Sequence, residues 1–140
     1  MSNNPELMEM TVLHLLSMEA RDTEKEMLEL LSLVLGSAEK AALEELNRAK
    51  RTPLMTACRY GNMSAARMLV ERGADPKVAT ETGTPVIMAV ESGREDILKF
   101  LLHEQGASAV QKDLSGVSPL YMACFAHQSD SVDTLWPYYN

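Results

Sequence analysis

The chain has 140 residues, a net charge of −7, two cysteines and few aromatics beside plentiful Leu, Met, Ala and Val. That length suits one domain with a continuous core, and the composition suits tightly packed helix layers. The acidic balance, spread as −5, +1 and −3 over residues 1–50, 51–100 and 101–140, argues against nucleic acid as the principal ligand, because neutralising phosphate takes clustered Lys and Arg.

Residues 1–6 lack the positive start and apolar stretch of a signal peptide, and the most apolar run, residues 27–35, is far below the ~20 residues that span a bilayer. The expected setting is the cytoplasm, with the nucleus as the alternative and no membrane. Thr11-Val12-Leu13-His14-Leu15-Leu16 opens the first helical stretch. Residues 24–35 follow, then Gly36-Ser37. Residues 38–46, rich in Ala, Glu and Leu without a breaker, predict a short extra helix.

Thr52-Pro53 is a helix entry: the hydroxyl caps free backbone N–H groups, and Pro sits where no N–H is needed. The helix predicted over residues 53–60 stops at Gly61, which tolerates a left-handed turn. A second, over residues 64–71, carries Ala65, Met68, Leu69 and Val70 as an apolar stripe and ends at Gly73-Ala74-Asp75, after which residues 76–83 have no helical period. The same parts recur as residues 85–92, Gly93, residues 95–103 and Gly106-Ala107-Ser108. They recur again as residues 119–126, His127 in place of Gly, and residues 129–136. Pro137 is expected to end that last helix, with Trp136 folded back near Met122 and residues 137–139 along the open end.

The phrase Thr52-Pro53-Leu54-Met55-Thr56-Ala57 returns after 32 residues as Thr84-Pro85-Val86-Ile87-Met88-Ala89, and after 34 more as Ser118-Pro119-Leu120-Tyr121-Met122-Ala123. A period near 33 with a Thr-Pro-Leu-His-x-Ala opening resembles the ankyrin-repeat family from about residue 11 to the end. The resemblance implies an all-α solenoid of stacked helix-turn-helix units with short β-hairpin-like fingers. It is read as a single domain, residues 1–140, with repeats at about 9–46, 47–79, 80–112 and 113–140. Against the family pattern, the His after Thr-Pro-Leu is Met55, Ile87 and Tyr121. The second finger is one residue short, and the third repeat has one extra residue near His103.

A solenoid of this kind implies a protein partner bound on a concave surface made of fingers and first helices. The finger positions are Arg48 and Arg51, then Glu81 and Thr82, then Leu114, Ser115 and Val117. The helix positions are Met18 and Glu19, Arg59 and Tyr60, Glu91 and Ser92, and Phe125 and Ala126. Arg59, Tyr60 and Phe125 stand out because Arg and aromatics are enriched in interface hot spots, although Tyr60 and Phe125 also suit packing between helices. Leu114 and Val117 are either exposed contacts or packing for the neighbouring finger. The acids Glu24, Glu26, Glu29, Glu39, Glu44 and Glu45 read as a solvated helix face before a docking patch for a basic partner.

Cys58 and Cys124 fall two repeats apart, beyond the ~7 Å reach of a disulfide, and read as small buried apolar residues of a reducing compartment. Cys124-x-x-His127 is half a zinc motif without a second pair, and no base accompanies Cys58, so neither a metal, a cofactor nor catalysis is expected. His14 and His103 read as helix-capping or surface histidines. The expected function is an intracellular protein-interaction module. A regulatory or inhibitory subunit of an enzyme, or a targeting segment of a larger multidomain protein, is the alternative. A monomer is expected, with self-association through the C-terminal end as the variant.

Overall fold

A computed structural model describes residues 43, 44, 46 and 49–139 of the chain. The first repeat, with the helices read at residues 11–16 and 24–35, His14, Met18, Glu19 and every acid of the N-terminal run except Glu44, lies outside the described residues. Leu43 is helical and buried, but Glu44 already turns and Leu46 is non-helical, so the helix expected through residue 46 ends earlier. A carboxylate oxygen of Glu44 accepts from the Asp75 N–H at 2.8 Å.

Among the described residues the helices are α1 (Pro53–Tyr60), α2 (Met63–Glu71), α3 (Pro85–Glu91), α4 (Glu95–Lys99), α5 (Pro119–Phe125) and α6 (Ser129–Tyr139). Each Pro-started helix is capped as its sequence dictates. Thr52, Thr84 and Ser118, all extended, accept from the N–H groups of Met55, Ile87 and Tyr121 at 3.2, 3.1 and 3.1 Å. Asn62 caps α2 through Ala65 N–H at 3.1 Å.

Helices pair within a repeat, α1 with α2 and α5 with α6, and stack between repeats, α1 on α3, α3 on α5 and α4 on α6. Because α3 is covered from both sides, Pro85, Val86, Ile87, Met88, Ala89 and Val90 are all buried. At roughly 1.5–3 kcal/mol for each large aliphatic side chain, this layer dominates the stability of the stack. Met55 and Ile87, where the family carries His, are fully buried and fill the layer with apolar volume instead of a hydrogen bond.

Gly61 and Gly93 have φ of +75° and +69°. A Cβ on Gly61 would lie 2.7 Å from the Arg94 guanidinium, and one on Gly93 would lie 2.9 Å from the Gln128 amide. Arg94, after Gly93, and Gln128, after His127, thus each lie over the glycine of the preceding repeat. His127 takes the same conformation, φ 56°, in the last repeat, and His is one of the residues that tolerate it best.

The second helix of the third repeat is not the single α-helix expected over residues 95–103. After α4 the chain makes a π-helical turn, Phe100–Glu104, in which Gln105 N–H reaches Phe100 C=O at 3.2 Å. The corresponding helix of the second repeat closes with Ala74 N–H on Leu69 C=O, whereas here Ala107 N–H closes on Leu101 C=O, one residue farther along. The extra residue read near His103 is therefore absorbed inside the helix, which keeps Gly106-Ala107 in step with Gly73-Ala74.

The C-terminus corrects two expectations. Helix α6 continues through Pro137 to Tyr139, and Trp136 is 56% exposed instead of folded against Met122. Leu135, one residue earlier, is the fully buried side chain, and a 100° step around the helix turns Trp136 away from α5. Pro137 withholds only the bond to the Asp133 carbonyl, a small loss with two helical residues left. The closing contact is made by Tyr139, whose hydroxyl accepts from Leu120 N–H at 3.3 Å. Leu135→Ala should therefore lower stability by about 2–5 kcal/mol, and Trp136→Ala by about 1 kcal/mol or less, as read from chemical denaturation of dilute protein. Equal costs would place Trp136 in the core after all.

Candidate partner-binding surface

Backbone and hydroxyl bonds join the fingers to one another. Thr80 and Gly83 exchange N–H···O=C bonds at 2.9 and 3.4 Å, closing the tip of the second finger. The Thr82 hydroxyl donates to the carbonyls of Ala49 and Lys50, at 2.9 and 3.1 Å. One finger farther on, the Ser115 hydroxyl donates to the Glu81 carbonyl, and Leu114 N–H donates to the Thr80 carbonyl at 2.9 Å. Buried Asp113 holds the third tip by accepting from Ser115 and Val117 N–H, both at 2.9 Å.

The sequence-derived positions separate accordingly. Thr82 and Ser115 are exposed, but their hydroxyls serve the finger-to-finger bonds. Glu81 and Leu114 are exposed at the tips, Leu114 at 69%. Val117 is half-buried, and Arg48 lies outside the described residues.

On the first helices, Arg59 and Glu91 form an ion pair at 3.0 Å that ties α1 to α3, each side chain about one-third exposed. Tyr60 is exposed beside them, and Ser92 is half-buried. Arg51 belongs to the same cluster: burial first, and then the Arg59 charge, lower its guanidinium pKa, while Glu91 and Tyr60 oppose this. It keeps its proton at neutral pH, as guanidinium groups do. Arg51, Arg59, Tyr60 and Glu91 are thus brought together, with one acid shared between two cations. Phe125, which stands one repeat on at the position of Arg59 and Glu91, is 70% exposed and stacked on Tyr121 at 6.2 Å between ring centroids with 13° between planes.

Sequence reasoning passed over the exposure of Tyr121, Trp136 and Cys124. The signal was their place in the last copy, where positions that earlier repeats bury meet no following helix pair within the described residues. Cys124 is exposed, against the reading of it as a buried apolar residue, whereas Cys58 is buried. On the outer face, Arg67 binds both carboxylate oxygens of Glu104, at 2.9 and 3.3 Å, and lies 4.6 Å over the Phe100 ring.

The family model of ankyrin repeats, in three copies, matches residues 13–113. The chain is 34% identical over 97 residues to protein fem-1 homolog A-like of Mus musculus, covering 69% of this chain and 14% of that protein. It is 32% identical over 85 residues to neurogenic locus notch homolog protein 4 of Homo sapiens, covering 60% and 4%. A putative ankyrin repeat-containing protein of Treponema pallidum is 42% identical over 67 residues, covering 46% and 22%. The chain thus spans less than a quarter of each of these relatives.

Burial pushes the Cys58 thiol above its ordinary value, which keeps it protonated and unreactive in the folded chain. At low protein concentration, a thiol reagent should label Cys124 at once and Cys58 only on unfolding. The same shift makes folding weaken as the pH climbs past the ordinary thiol value of 9.0, because the unfolded chain then ionises and the folded one does not. Simultaneous labelling of both thiols in the folded state would contradict this placement.

Proposed function

This chain belongs to the ankyrin-repeat family, and we propose that it is an intracellular module that binds a protein partner across Arg51, Arg59, Tyr60 and the neighbouring finger tips. Ankyrin repeats are in general protein–protein interaction modules, and the same use of this chain rests on how its surface is built. The carrying observation is the Arg51–Arg59–Glu91 cluster beside exposed Tyr60, held by an ion pair that crosses from one repeat to the next.

Such a surface loses little conformational freedom when a partner arrives, since its hydroxyls and guanidinium groups are already positioned by the fold. Tyr60 supplies a rigid amphipathic anchor, and the mixed charge of Arg51, Arg59, Glu81 and Glu91 supplies register. Leu114 adds an apolar contact at the rim. The cytoplasm or nucleus suits two cysteines that stand free. No helix among the described residues is long and apolar enough to cross a membrane.

Proximity labelling with the full chain, followed by titration of the protein identified, tests the surface. Arg59→Ala and Tyr60→Ala should each weaken binding by about tenfold or more while leaving helicity unchanged. Arg67→Ala, on the outer face, should leave affinity as it is. If Arg67→Ala weakens binding as much as the other two, the partner sits on the opposite side of the solenoid.

A further inference from the structure

The last repeat ends in a face patterned like the internal layers but uncovered by any described residue. Tyr121 stands at the position of Met55 and Ile87, and Cys124 at that of Cys58 and Val90; all four earlier residues are fully buried. Trp136 stands at the position of half-buried Val70 and buried Leu102. In the last repeat these positions are open: Tyr121 is 60% exposed, Trp136 is 56% exposed, and Cys124 is exposed. Phe125 extends the face by stacking on Tyr121.

We propose that this face pairs with the same face of a second copy of the chain, making a twofold, end-to-end dimer. Three observations support a second copy. The face stands where α3 covers α5 one layer earlier, and a twofold axis would set its aromatic rings, Tyr121 and Phe125 already stacked, against their own copies. It is also neutral. Asp130 and Asp133 stand where Ser64 and Asp96, and Arg67 and Lys99, stand in the covered repeats. Arg67, Asp96 and Lys99 stay exposed there, which sets both aspartates outside the stacking layer and leaves like charges off the contact.

The third is area. Tyr121, Phe125 and Trp136 leave roughly 400 Å² uncovered, at about 200 Å² per aromatic side chain. Six rings from two copies then supply ~800 Å² before the half-buried Leu120, Met122 and Val132 are counted, below the ~1,200 Å² at which stable specific interfaces begin and in the range of weak, reversible association. An isologous contact of this kind closes on itself and stops at two. Tyr121 and Trp136, the residues that test this proposal, belong to neither the Arg51 cluster nor the finger tips, so its failure is distinguishable from failure of the concave-surface reading.

Sedimentation of the full chain between about 1 µM and 1 mM, the range of weak to moderate association, tests the dimer. The mass should double across that range. The emission of Trp136, the single tryptophan, should shift to the blue in step, and alkylation of Cys124 should slow. Tyr121→Glu should raise the dissociation constant at least about tenfold with helicity intact. Trp136→Glu, on the other helix of the face, repeats the test should the first variant lose helicity. A chain that stays monomeric at the highest concentration overturns the proposal. So does association that both variants leave unchanged, or growth beyond two copies.

Discussion

A pair of short helices has more apolar surface than it can cover by itself, and every feature of this chain follows from how that surface is shared between neighbours. Ile87, Met88 and Val90 are buried because α1 lies on one side of α3 and α5 on the other. The Thr-Pro and Ser-Pro entries matter for the same reason. They start each first helix at the same height, so that equivalent side chains meet across the layers. Where the layering stops, apolar positions that were interior become exterior with little change in residue type.

Polar groups carry the alignment that apolar burial cannot. Ser131 and Thr134 donate to the two carboxylate oxygens of Glu95, at 2.9 and 2.8 Å, and so hold α6 to α4. Ser115 and Thr82 do the same for the fingers, and Arg94 and Gln128 lie over the glycines of the preceding repeat. None of these contacts is strong alone, yet each fixes one repeat relative to the next. The concave surface owes its definition to them more than to its own residues.

Much of this was legible in the sequence, because the repeat restates its caps, breakers and apolar stripe three times over. Even the extra residue near His103 was visible, although only the structure shows it taken up by a π-helical turn. Burial in the last repeat was read less well. Cys124 was assigned from its twin Cys58, but burial belongs to the layer above a residue and not to the residue. Trp136 was assigned by size and hydrophobicity, while Leu135 already filled the core site and helix rotation sent its neighbour outward. On the concave side, position predicted which side chains reach the surface, but not that Thr82 and Ser115 spend their hydroxyls on the fold.

The ion pairs have a consequence for how the solenoid bends. Arg59–Glu91 ties the inner edge of the joint between the second and third repeats, and Arg67–Glu104 ties its outer edge. The next joint has hydroxyl bonds on its outer helices, and no ion pair crosses it among the described residues. As an elastic rod, the chain therefore has a stiff segment braced on both edges, followed by a more compliant one that carries the last helix pair. Because salt screens exposed ion pairs more than bonds from neutral hydroxyls to a carboxylate, the bending modulus of the first joint should depend on ionic strength more than that of the second.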